Sequence, residues 1–127
     1  MPHQKWCIIS MMTPFKKVPA RFFATDSGED PVCTWLKELN QDDRKIIGKD
    51  IQKVGFGLPI ELPVCQSLGH GIWEVRSRLP GGRVARVIFG FVEGSMVLLH
   101  GFIKKIQKTP DQDKGLALKR LRSLGKE

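Results

Sequence analysis

The sequence predicts an α+β domain: a small antiparallel β-sheet, made of a first strand plus a C-terminal three-stranded meander, with an N-terminal helix hairpin and a C-terminal helix. Three observations predict it. Apolar residues recur at helical spacing from residue 32 to residue 54. The pattern then changes to strand-like runs over residues 72–105, cut by Pro80-Gly81-Gly82 and by Glu93-Gly94. Thr109-Pro110 finally restarts a helical pattern that runs toward the C-terminus.

Taken in order, "VPARFFAT" (18–25) reads as a first strand, with Phe22, Phe23 and Ala24 supplying bulk. "DSGEDP" turns the chain, and Asp30 before Pro31 reads as an N-cap with proline at the first helical position. Val32, Trp35, Leu36 and Leu39 then lie on one helical stripe. Asn40 is placed to cap a second helix, with Asp42 and Asp43 in its first turn and Ile47, Ile51 and Val54 facing inward; Gly55 and Gly57 end it. Residues 58–71, with two prolines and glycines, read as a connector. "IWEVRSRL" (72–79), "RVARVIFGFV" (83–92) and "SMVLLHGFIKK" (95–105) form the meander. Thr109-Pro110-Asp111-Gln112 opens the last helix as a capping box, with Ala117, Leu121 and Leu124 inward and Lys119, Arg120 and Arg122 mostly outward. The expected packing places the helices against one face of the sheet.

A length of 127 residues implies one core. The domain is assigned to residues 18–127, and residues 1–17, without useful periodicity, to an N-terminal extension; Met11 or Met12 is a possible alternative start. No apolar run approaches the ~20 residues of a membrane span, so no membrane association is expected. The patch from Trp6 to Met12 is too short and poorly formed for a secretory signal. Three cysteines, Cys7, Cys33 and Cys65, are odd in number and far apart, which suggests reduced thiols and a cytoplasmic setting.

Charge is distributed unevenly. Residues 1–75 hold nine Lys/Arg and nine Asp/Glu, whereas residues 76–127 hold twelve and four and so carry the whole net charge of +8. A positive field confined to one half of a chain points to a polyanionic partner, nucleic acid or acidic protein, rather than to solubility alone. The cations concerned are Arg76, Arg78, Arg83 and Arg86 on the first two meander strands, then Lys104, Lys105 and Lys108. Arg86 interrupts "VARVIF", where a guanidinium needs an acceptor. A ligand phosphate is the favoured acceptor, and an internal ion pair with Glu74 on the neighbouring strand is the alternative. A two-residue Pro80-Gly81 loop would set Arg76 opposite Ala85. A three-residue Pro80-Gly81-Gly82 loop, the favoured choice, sets it opposite Arg86 with both on one face.

His100 lies on the third meander strand, where alternation gives it the face of Leu98, Phe102 and Lys104. Imidazole titrates near neutrality and suits proton transfer, but a lone strand histidine is about as often a packed core residue. Gly101 beside it either admits a close neighbour or relieves packing. The spacing of His3, His70, His100 and the cysteines offers no metal site. Neither a Gly-rich phosphate loop nor a G-x-S-x-G elbow is present.

The segments "GIWEVR", "RVIF" and "LLHGFIKKIQKTP" resemble the RelE/ParE toxin superfamily, specifically its phage-derived HigB-like branch, with similarity from about Val18 to the terminal helix. The resemblance implies a RelE-like sheet flanked by helices and a toxin of a type II toxin–antitoxin pair. It implies an endoribonuclease that cuts mRNA on the ribosome without a metal or other cofactor, the 2′-hydroxyl attacking its adjacent phosphate. The cognate antitoxin, of helix-turn-helix type, is the implied protein partner. Carried over residue by residue, Arg76 and Arg86 clamp the substrate and stabilise charge, Lys104 and Lys105 contact phosphate, and His100 is the acid/base candidate. Arg78, Arg83, Lys108 and Lys119 are assigned to RNA binding. RelE-type enzymes often use a tyrosine near the terminal helix, and this chain has none, which leaves proton transfer to His100, a lysine of lowered pKa, or ribosomal groups. Two other readings carry the same fold: a ParE-like gyrase-binding toxin that cuts nothing, and an inactive remnant that binds only antitoxin or nucleic acid.

Overall fold

A computed structural model describes residues 18–55, 65–103 and 109–124. The elements are β1 (Ala20–Phe22), α1 (Pro31–Lys37), α2 (Gln41–Gly55), β2 (Cys65–Gly69), β3 (Ile72–Leu79), β4 (Arg83–Val92), β5 (Ser95–Ile103) and α3 (Asp111–Leu124). They build an α+β fold around a five-stranded sheet of order β1-β5-β4-β3-β2. The expected meander is present as β3, β4 and β5, all antiparallel.

The sheet departs from the expectation in two ways. It is mixed, because β1 runs parallel to β5, with Ala20 opposite Met96 and Phe22 opposite Leu98. The two intervening helices carry the chain back to the same end of the sheet, as a parallel pairing requires. The second departure is a fifth strand in the supposed connector: Cys65–Gly69 pairs antiparallel with β3. His70 and Gly71, both at positive φ, form the two-residue turn that joins them. The sequence "CQSLG" lacks the branched residues that mark strands, and its place at the sheet edge, half exposed, explains why none are required.

Helices cover both faces rather than one. Alternate residues of β3–β5 supply two cores. Val75, Leu79, Val87, Phe89, Met96 and Leu98 pack with Val32, Ile47 and Ile51 of α1 and α2. Ile72, Ile88, Val97, Leu99 and Phe102 pack with Phe23 and with Ala117 of α3. A strand that is apolar at consecutive positions, as in "VIF" and "MVLL", has to be sheltered on both sides.

Helix ends follow the expected residues with two differences, of which one is the capping box at Thr109: α3 begins at Asp111, and the Thr109 hydroxyl bonds Glu74 and Arg86 instead of capping it. Asp30 takes the N-cap position of α1, but no side-chain cap bond forms there; its carboxylate instead meets the Thr34 hydroxyl at 3.5 Å. Asn40 caps α2 by accepting the Asp43 N–H at 2.8 Å, and its amide donates back to Asp43 Oδ2 at 3.2 Å. Gly101 has a packing reason. The ring of Trp35 on α1 lies where a Cβ would stand, at 2.5–3.0 Å. Gly57, the extension at residues 1–17, and Lys104, Lys105 and Lys108 lie outside the described residues.

Candidate functional site

The β3–β4 loop decides the site's composition. Pro80–Gly82 form a three-residue connection with Gly81 and Gly82 at positive φ, and Arg76 therefore pairs with Arg86. On the α3 side of the sheet the side chains fall into rows. Glu74, Ile88 and His100 make one row, and Arg76, Arg86 and Phe102 the next. Arg78 and Val84 continue beyond them. A row of cations on adjacent strands is placed by register alone, which is why a one-residue change in the loop would have scattered it.

Arg86 is 2% exposed, and its Nη1 donates to Glu74 Oε2 at 3.4 Å and to Thr109 Oγ1 at 3.2 Å. The internal ion pair with Glu74, the alternative reading of this arginine, is thus present. The Thr109 hydroxyl also donates to Glu74 Oε2, so the residue that starts α3 is tied to the same carboxylate. The other oxygen of Glu74 accepts from Arg76 Nε at 3.2 Å. Arg76 differs from Arg86 in reach, because its side chain is 30% exposed. One buried carboxylate therefore holds two arginines, one sealed in and one presented at the surface. Arg78 is exposed on the same face.

His100 reaches this face through a β-bulge. The register of β4 with β5 shifts between Ile88 and Phe89, so that Leu99 has no partner residue on β4. His100 then faces α3 together with Phe102, whereas Leu98 belongs to the opposite core; the simple alternation that grouped His100 with Leu98 fails at this point. The carbonyl of Leu99 accepts a 2.6 Å bond from Arg120 Nη1. Arg120, expected to point outward, turns inward for this bond and lies over the Phe23 ring at 5.7 Å; burial lowers its pKa below the ordinary arginine value. His100 Nε2 bonds Asp113 Oδ1 on α3 at 2.6 Å, and its ring stacks on Phe102 with centroids 5.5 Å apart. With Asp113 ionised, Nε2 carries the proton, and a neutral His100 keeps the Nδ1 lone pair.

Not all the expected cations gather here. Arg83 faces the other side of the sheet, where Nη1 and Nη2 grip Asp43 at 2.8 and 3.1 Å and Nε donates to the Pro80 carbonyl at 3.0 Å. Hydrogen bonding to Arg83 holds the Asp43 carboxyl below its usual range, and the same bond raises Arg83. Lys119 is exposed on α3. The residues that sequence reasoning missed are Thr109 and Asp113, although the first stands in the quoted "KTP" and both flank the start of α3; Glu74 entered only as the alternative partner of Arg86. Among the described residues no group of three His, Cys, Asp or Glu side chains could hold a metal ion.

Helix α3 starts over the His100 row, and Leu121 near its end reaches Gly90 and Gly71. It therefore runs away from Arg76 and Arg78 and leaves them facing out. A cationic surface seated on a rigid sheet, beside an imidazole fixed by a carboxylate, suits a phosphodiester ligand. The family model for the phage derived protein Gp49-like family (DUF891) matches residues 34–122, from α1 to near the end of α3. No curated protein matches the chain.

Proposed function

Because the chain belongs to the Gp49-like phage-derived family, a RelE-like family of toxins in toxin–antitoxin systems, we propose that it is an endoribonuclease that cuts mRNA at the ribosome and so stops translation, as the HigB-like branch does. The observation that carries this reading is the division of labour around Glu74: a sealed Arg86 and an outward Arg76 on one carboxylate. A structural ion pair needs only one guanidinium.

In the reaction proposed, the ribose 2′-oxygen attacks the adjacent phosphorus, the P–O5′ bond breaks, and a 2′,3′-cyclic phosphate and a 5′-hydroxyl are left. Arg76 sits where it can donate to the non-bridging oxygens as their charge grows. Arg86 and Glu74 position it, since a guanidinium bonded to a buried carboxylate is held in a defined direction. Arg78 contacts the neighbouring backbone phosphate, and Lys104, Lys105 and Lys108 extend the same role along the chain. His100 takes or returns the proton through Nδ1, with Asp113 holding the ring. The cognate antitoxin would silence the protein by covering this cationic face.

Primer-extension mapping of transcripts after induction tests the reading. New 5′ ends within translated messages are expected. Arg76→Gln should lower the cleavage rate by about a hundredfold or more while leaving the urea midpoint close to the parent's. Intact messages together with inhibited gyrase supercoiling would replace it with the gyrase-binding alternative.

A further inference from the structure

A second feature lies at the far end of the α3 side, at the sheet edge formed by β1. There a cavity of about 280 Å³ opens, lined by Arg21, Phe23, Val92, Glu93, Val97 and Leu124 among others. Arg21 pairs with Val97, which sets its side chain on the α3 side. Its Nε is buried and has no hydrogen-bond partner, and among the described residues no carboxylate forms an ion pair with it. Arg21 thus lines the cavity as a cation with no carboxylate partner among the described residues, and a guanidinium so placed suits an anionic acceptor.

We propose that this cavity binds a peptide segment carrying a bulky apolar side chain next to a carboxylate. The volume is below the ~300–1,000 Å³ usual for small-molecule sites and matches one or two side chains. Phe22, 40% exposed, would take the apolar group together with Val92 and Leu124, and Arg21 the carboxylate. Glu93, on the β4–β5 turn with φ 51, repels a second anion and accepts a main-chain N–H of the same segment. That acid at the rim disfavours RNA, whose phosphates recur along every stretch. The net charge of +8 draws an acidic segment toward the chain. The site is separate from Arg76 and does not depend on the ribonuclease reading.

The test is a ¹H–¹⁵N NMR titration of the full chain with the probe acetyl-Asp-Leu-Phe-Asn-amide. The expected result is saturable shifts at Arg21 Nε–H and at the Ala24, Glu93 and Val97 amides. Acetyl-Asn-Leu-Phe-Asn-amide and acetyl-Asp-Ala-Ala-Asn-amide should each bind about tenfold more weakly or worse, and Arg21→Gln should weaken the parent probe by a similar factor. The asparagine peptide tests the charge pairing without altering the protein, should Arg21→Gln fold poorly. No binding, equal binding of the neutral peptide, shifts confined to the strands around Arg76 and Arg78, or displacement of the probe by an RNA oligonucleotide would each overturn the proposal.

Discussion

Replacing Glu74 with alanine would strip the guanidinium of Arg86 of a carboxylate 3.4 Å away, in a place where both side chains are 1–2% exposed. Removing one partner of a buried pair costs about 3–5 kcal/mol, because the remaining charge stays desolvated. Arg76 loses its 3.2 Å bond as well, but its side chain can turn to water and adds little to the loss. The Thr109 hydroxyl loses an acceptor, which loosens the start of α3. Against a total stability of about 5–15 kcal/mol for a domain of this class, the expected loss is a large share. With a urea slope near 2 kcal/mol/M, the midpoint should fall by roughly 1.5–2.5 M. The decisive comparison is the double variant Glu74→Leu with Arg86→Met, which removes both charges and fills the space. It should recover most of the loss, since buried pairs can be exchanged for apolar groups at little cost. A single variant within about 1 kcal/mol of the parent, or a double variant as unstable as the sum of the two singles, would refute this account of the network.

Three further outcomes follow from the geometry. His100→Ala should slow RNA cleavage by about a hundredfold and Asp113→Asn by less, read in single-turnover assays; parental rates in both would make His100 a core residue. Gly101→Ala should destabilise by about 1–3 kcal/mol, because the new methyl would meet the Trp35 ring at 2.5 Å, and Trp35→Leu should relieve much of that penalty in thermal melts. Asp43 is held below the ordinary aspartate value of 3.8 by the Arg83 bond, so its contribution is complete above the unfolded-state pKa and is lost as pH falls through the lower folded value. Asp43→Asn should therefore be less stable near neutrality, and its deficit should shrink as the pH falls below about 4 in acid titrations followed by circular dichroism.

The sequence by itself determined the local elements and the hairpin that carries the site. Asp30-Pro31 and Asn40 placed the two helix starts, and Pro80-Gly81-Gly82 and Glu93-Gly94 placed the turns, because caps and positive-φ glycines act over a few residues. From that loop the Arg76–Arg86 pairing followed. The edge strand Cys65–Gly69 was illegible, since a half-exposed edge asks little of its side chains. So was the parallel seat of β1, which depends on where two helices return the chain.

Only the tertiary structure decided what each cation does. Arg86 and Arg76 are two residues on paired strands, yet one is sealed by Thr109 and the other reaches solvent. Arg83 sits a few positions away and faces Asp43, forty positions earlier. His100 acquired its partner Asp113 through a bulge at Leu99 that shifts the alternation of β5. Burial and ion pairing are set by what packs across the sheet. The charge of a side chain is written in the sequence, while the dielectric around it and the atoms within 4 Å are products of the fold.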